Sequence, residues 1–407
     1  MTPSPPDTAR ASFPQRYDRA LACPNCGGEG MTVFYEVDGI PVHSCLMVPT
    51  RQEALDFRTG DLRLGFCSAC GFVSNTAFQP EVHSYGVRYE ESQGSSPRFN
   101  EFLEHLVGRL ISRYGIRRKT VLEIGCGKGG FLVRMCEVGD NRGIGIDPSC
   151  APERIHTAAP ITWIREFYGP QHAGLGADVI CCRHTLEHIG PTRQFLLQVR
   201  RAIGQRQDTL VFFELPDAMR ILREGAIWDI YYEHCSYFST GSLARLFRGC
   251  GLDLLEMELD YGGQYILLVA RPAGPKQQAA LEGEDDMPQL IAAVDTFPAN
   301  AQSQIRKWGD TIRQAAAAGR KVALWAAGSK CVAFLTTLKL GDEVRCVVDV
   351  SPYKQGSFIT GTGHQVVAPD ELARVRPDLV IAMNPIYVRE IQRELDRMGL
   401  PSRLTAV

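Results

Sequence analysis

The stretch "VLEIGCGKGGF", residues 121–131, decides the fold. An apolar run ending at Ile124 passes into glycines at Gly125, Gly127 and Gly129, and apolar residues resume at Phe131. Glycines in a strand-to-helix turn let bare backbone approach a ligand closely. About twenty positions on, "GIGIDPS" puts Asp147 at the end of the next strand-like run, where a carboxylate accepts hydrogen bonds from a ribose diol. The dinucleotide spacing G-x-G-x-x-G is also satisfied, with Gly130 as its third glycine, so spacing alone does not name the ligand. Glu123 does more, because a carboxylate beside the loop attracts a cationic sulfonium and repels a pyrophosphate.

Outward from this turn, strand-like and helix-like segments alternate to about Pro272. An amphipathic stretch with Phe102, Leu103, Leu106 and Leu110 comes just before the turn. The alternation predicts an α/β fold with a parallel sheet covered by helices. Residues 1–20 read as a flexible leader, 21–100 as a small metal-binding domain, and 101–272 as the cofactor-binding domain. Residues 273–300 are polar and acidic and read as a linker leading into a helix. A second α/β lobe follows over 301–407, with strand candidates "KVALWAAG", "RCVVDV" and "DLVIAMN".

The 407 residues are 44% hydrophobic and 22% charged, with a formal charge of −2. That balance predicts a globular chain and offers no basic excess for nucleic acid. With no apolar run long enough for a membrane and no signal-like core, the chain is expected to be cytoplasmic, to avoid membranes, and to act as a monomer or homodimer. The fourteen cysteines are diluted along the chain, which favours thiolate ligands and buried thiols over disulfides. "CPNCG" and "CSACG" place Cys23, Cys26, Cys67 and Cys70 as a tetrahedral thiolate set for a structural Zn²⁺, with His43 and Cys45 as the alternates between the pairs.

A further stretch, "DIYYEHCSYFS" from Asp229 to Ser239, gathers Tyr231, Tyr232, Glu233 and His234. Histidine takes a proton near neutrality, and a glutamate and histidine side by side among aromatics are costly to bury without partners. The stretch therefore reads as a lined pocket, with Tyr237 and Phe238 as packing.

Residues 121–147 resemble the cofactor motif of class I S-adenosylmethionine-dependent methyltransferases, and "ADVICCRHTLEHIGPTRQFLLQVRRAIG" resembles that family's fourth strand and following helix. The resemblance implies a Rossmann-like core with a seven-stranded sheet. Glu123, the three glycines and Asp147 would bind S-adenosylmethionine, Phe167 in "WIREFYG" would lie near the adenine, and Arg183 and His184 beside the methionine part. His188, in "LEHI", reads as a structural histidine at a helix start.

More narrowly, the paired CxxC region, "YYEHCSYFS", "YGGQYILLVARP", "AAGSK" and "DVSPYKQGSFITGTGHQVVAP" resemble the C-methyltransferases of nucleotide-linked keto-deoxysugars. That family implies His234 as general base, Glu233 orienting it, and assistance from Tyr231, Tyr232 and Tyr89, with Tyr85 as the alternate to Tyr89. The chain departs from the family where His-Gly-Gly-Ser-x-Arg is replaced by "YGGQYIL". In the C-terminal lobe, Lys330 at a helix start and Asp349 at a strand end are expected to bind substrate, with Lys354 or the "GTGH" loop in a minor part. The expected function is methyl transfer to a small molecule, on carbon next to a ketone. The alternatives are O- or N-methylation on the same scaffold, or a non-catalytic zinc-ribbon adaptor.

Overall fold

Three sheets organise the chain in the computed structural model, which describes residues 16–18 and 21–407 except 83, 84, 87 and 277. The expected leader lies outside the described residues apart from Arg16–Asp18. Those three residues form an edge strand, β1, and so are not free leader. The first sheet continues through β2 (Met31–Pro41), β3 (Thr59–Phe66) and β4 (Val73–Asn75), all antiparallel. Its last strand is Ser236–Tyr237, lent by a distant part of the chain and beginning two residues after His234. The "DIYYEH" stretch is thereby tied to the first sheet by backbone hydrogen bonds.

The second sheet holds β5 (Thr120–Ile124), β6 (Arg142–Ile146), β7 (Ile161–Ile164), β8 (Val179–Arg183) and β9 (Leu210–Pro216). Counting the lent strand as β10, it is completed by β11 (Leu252–Asp260) and β12 (Tyr265–Pro272). The order is β11-β12-β9-β8-β5-β6-β7, with β12 antiparallel to both neighbours and the pairs from β9 to β7 parallel. Strand β5 sits between β6 and β8, so the order reverses at its carboxyl end, the place where open α/β sheets bind ligands. The helix Pro97–Tyr114 begins with the Ser96 hydroxyl accepting the Phe99 amide at 3.2 Å and ends on left-handed Gly115. It buries Phe102, Leu103, Leu106 and Leu110 against the sheet, as the amphipathic pattern predicts.

The third sheet is parallel throughout: β13 (Val322–Trp325), β14 (Val344–Val348), β15 (Val366–Val367), β16 (Leu379–Ala382) and β17 (Arg403–Ala406), in the order β15-β14-β13-β16-β17. The expected linker does lead into a helix, but the boundary drawn at residue 300 falls inside it. A 31-residue helix, Met287–Ala317, runs straight through that boundary. Leu290, Val294, Phe297, Ala301, Trp308 and Ile312 recur at helical spacing and are buried, with Phe297 packed edge-on against Phe34 and Tyr35 of β2. Among the described residues, no helix is long and apolar enough to cross a membrane.

Candidate active site

The carboxyl ends of β5 and β13 open on one cavity of about 840 Å³, whose walls come from all three sheets and their loops. At the β5 end the backbone is left-handed at Gly125, Gly127 and Gly129. A Cβ on Gly125 would lie 1.9 Å from Thr185 Oγ1, and one on Gly129 would lie 2.4 Å from the Trp163 ring, so no larger residue fits either place. Gly129 caps the helix Gly130–Gly139 without a side chain, leaving first-turn amides available to a ligand. Asp147 accepts the Gly127 amide at 2.9 Å and also holds Ser149.

Glu123 is buried, and one of its carboxylate oxygens has no hydrogen-bond partner. Burial pushes its carboxyl up to about 8, against the pull of Arg183. An orphaned buried carboxylate beside a glycine cradle suits a cationic sulfonium cofactor. Glu91, which sequence reasoning passed over, lies against Gly127 and is raised by burial to about 7, with Lys128 opposing. Phe167 stands at the mouth, 64% exposed and edge-on to Tyr85.

Arg183 and His184 line the cavity, but their charged ends are already engaged. Arg183 grips Glu214 through two bonds of 2.8 and 3.0 Å and lies 4.5 Å over the Phe131 ring, and His184 Nε2 is 2.8 Å from the same carboxylate. Burial works against charge on both partners. Arg183 and His184 nevertheless hold Glu214 down at about 2, and the carboxylates of Glu187 and Glu214 lift His184 to about 9. Glu214 sits inside β9 in an apolar run, and nothing in its sequence neighbourhood marks it.

Across the cavity, His234 Nε2 lies 2.8 Å from the Tyr231 hydroxyl. The His234 amide bonds back to the Tyr231 carbonyl at 3.1 Å, a tight turn that brings side chains three apart together and sends the middle two elsewhere. That turn corrects two expectations. Tyr232 leaves the cavity: its hydroxyl accepts the Gln79 amide at 3.0 Å and its ring packs with Val42 and Val82. Glu233 does not orient His234; its carboxylate takes His43 Nδ1 at 2.9 Å, the Ser44 amide at 2.8 Å and the Ser44 hydroxyl. Those bonds hold Glu233 below the usual carboxylate range although burial opposes it. Burial, followed by the nearby His188, His184 and Lys330, holds His234 well below the ordinary histidine value, so it is uncharged near neutrality.

His188 closes the single-turn helix Leu186–His188. It is part of the cavity wall, with its ring perpendicular to His234 at 4.8 Å and Nδ1 3.0 Å from the Glu233 carbonyl and 3.1 Å from the Tyr85 hydroxyl. Tyr89 and Tyr85 both line the cavity with rings 5.0 Å apart, and Tyr85 is the one whose hydroxyl reaches a histidine. Burial raises both phenols well above their usual value.

The β13 end repeats the arrangement at β5. The Ala326 amide bonds Val348 O at 2.8 Å as Gly125 bonds Ile146 O, and the Ala327 amide bonds Asp349 at 2.7 Å as Gly127 bonds Asp147. Lys354 Nζ lies 3.4 Å from Asp349, and Asp349 raises it above the usual lysine value despite burial. Lys330 pairs with Asp229, which also takes Arg220 at 2.6 Å, so it props the start of the "DIYYEH" stretch as well as lining the cavity. The "GTGH" loop packs on the segment between β2 and β3, where the Gly361 amide bonds the Ala54 carbonyl at 2.7 Å, and does not line the cavity.

Away from the cavity, the sulfurs of Cys23, Cys26, Cys67 and Cys70 lie within 4.8 Å of one another, with two pairs at 3.7 Å. The Gly28 amide points at Cys26 Sγ and the Asn25 amide group at Cys70 Sγ, the outer contacts that suit thiolates on a metal. Cys45 lines the cavity and His43 pairs with Glu233, and neither is in this set.

Fold and site together define a class I S-adenosylmethionine-dependent methyltransferase, an enzyme acting on a small molecule. Two family models match in succession: a methyltransferase domain over residues 99–257 and a C-methyltransferase C-terminal domain over residues 261–399. The chain is 27% identical over 347 residues to C-methyltransferase NovU of Streptomyces niveus, covering 80% of each chain. Among solved structures it is similar to magnesium protoporphyrin IX methyltransferase from Synechocystis PCC 6803, at 12% identity over 43% of this chain and 84% of that one, with a TM-score of 0.34. It is also similar to 1,6-didemethyltoxoflavin-N1-methyltransferase of Burkholderia thailandensis, at 18% identity over 44% and 83%, with a TM-score of 0.34.

Proposed function

We propose that the enzyme methylates a carbon next to a ketone on a nucleotide-linked deoxysugar or related metabolite, with His234 as general base. The observation that carries this reading is the Tyr231–His234 pair, which lines the same cavity as the glycine cradle and Glu123. S-adenosylmethionine, when bound, supplies a methyl group activated on a sulfonium. The uncharged His234 starts as a proton acceptor, and with Nε2 engaged by Tyr231, Nδ1 is left to take the acidic α-proton. Glu187 lies within 4.8 Å of His234 and offsets the charge that forms on its ring. Tyr89 or Tyr85, kept protonated by burial, donates to the developing enolate oxygen.

The cradle repeated at β13, with Asp349 at the strand end and the cation of Lys354 beside it, supports a nucleotide on the acceptor. The four clustered cysteines fit a structural zinc ion, since four protein ligands leave no open position for chemistry.

His234→Gln is expected to lower turnover by about 10²–10⁴-fold and to leave cofactor affinity nearly unchanged. Full activity in that variant would remove His234 from the mechanism. Product NMR after transfer of a ¹³C-methyl group separates carbon from oxygen or nitrogen as the acceptor atom, because the carbon-bound methyl resonates well upfield.

A further inference from the structure

We infer that Glu187, His188 and His234 form a second metal site, for a divalent transition ion, inside the cavity. Their ligand atoms lie within 4.8 Å of one another. A shift of roughly 1 Å would bring them to the spacing that metal–ligand bonds of about 2.1 Å impose. Two imidazoles and one carboxylate with open positions suit iron, cobalt, nickel or zinc, a different preference from that of four thiolates.

Two further observations point to a ligand. Glu187 is 2% exposed and lines the cavity; its carboxylate makes no hydrogen bond and has His184 Nδ1 beside one oxygen at 3.4 Å, which leaves the other oxygen for an ion. Both imidazoles also carry the outer contact that orients a metal ligand: His188 Nδ1 faces the Glu233 carbonyl at 3.0 Å and His234 Nε2 faces the Tyr231 hydroxyl at 2.8 Å. Each ring thus keeps its other nitrogen for an ion. An ion there occupies the lone pair with which His234 accepts a proton, so it inhibits the enzyme. That consequence rests on the general-base reading, whereas ion binding does not.

The test is a cobalt(II) titration of the full-length protein with zinc already in the four-cysteine cluster. The expected result is one cobalt per chain, with visible d–d bands and no thiolate charge-transfer band in the near ultraviolet. Turnover should fall in step with those bands. Glu187→Gln and His188→Gln should each weaken cobalt binding at least tenfold, with unchanged zinc content showing that each variant is folded. Absence of the bands at millimolar cobalt, or equal affinity in both folded variants, overturns the site. Bands that appear without inhibition support the site and instead overturn His234 as the base.

Discussion

Glu233 Oε1 lies 2.9 Å from His43 Nδ1, joining two residues 190 positions apart in the chain. The contact ties the turn that presents His234 to the loop after β2, and the Ser44 amide and hydroxyl complete the carboxylate's shell. Removing one partner strands buried polar groups. Glu233→Ala is therefore expected to cost about 3–5 kcal/mol in denaturant unfolding, the range for breaking a buried pair. His43→Ala should be destabilising too, and the double variant should lose less than the two single losses combined. Strict additivity would show that the two residues act independently.

Tyr231 holds the ring of His234 through one hydrogen bond. Loss of such a bond is worth about 1–1.5 kcal/mol, so Tyr231→Phe should reduce kcat roughly tenfold. KM for S-adenosylmethionine should stay constant, and the acid limb of the pH–rate profile should move. A variant with an unchanged profile would place Tyr231 outside proton transfer.

Glu123 governs a pH effect on cofactor binding. Its carboxyl is raised to about 8 in the empty cavity, while a sulfonium favours the ionised form. Below that value the group must release a proton as the cation binds, so affinity rises with pH and levels off above about 8. The slope approaches tenfold per pH unit on the acid side. Calorimetry at pH 6.5 and 8.5, in two buffers of different ionisation enthalpy, measures both the affinity and the released proton. Glu123→Gln should flatten the dependence.

Zinc removal is expected to unfold more than a surface knuckle. Cys23, Cys67 and Cys70 pack in one cluster with Phe72, Phe238 and Leu243, and Arg245 reaches the Cys70 carbonyl at 2.9 Å. Chelation should release one zinc per chain and lower Tm, and activity should fall with it because Phe238 lies four residues from His234. Retention of both Tm and activity after complete zinc loss would argue against a structural ion.

Much of the fold was legible because its signals are local. Glycines before a helix, Asp147 about twenty positions on and apolar runs of strand length all lie within a few dozen residues, and the physics that reads them is short-ranged. The helix that the acidic stretch leads into was placed without its length, and Met287–Ala317 runs past the boundary drawn at residue 300 for a related reason. Its acidic approach masks the start, and its apolar stripe gains meaning only against Phe34 and Tyr35.

The site was half legible. Tyr231, Glu233 and His234 announced themselves as costly neighbours to bury, and the sequence by itself determined that they needed partners. Which partners they took was decided only by tertiary structure. One tight turn sends Tyr231 and His234 into the cavity and Glu233 out to His43, while Tyr232 goes to a separate apolar cluster. Glu214 and Glu187 were invisible for the same reason. A carboxylate's role is set by charges within a few ångströms of it, and folding brings those charges from strands and loops far apart in the chain.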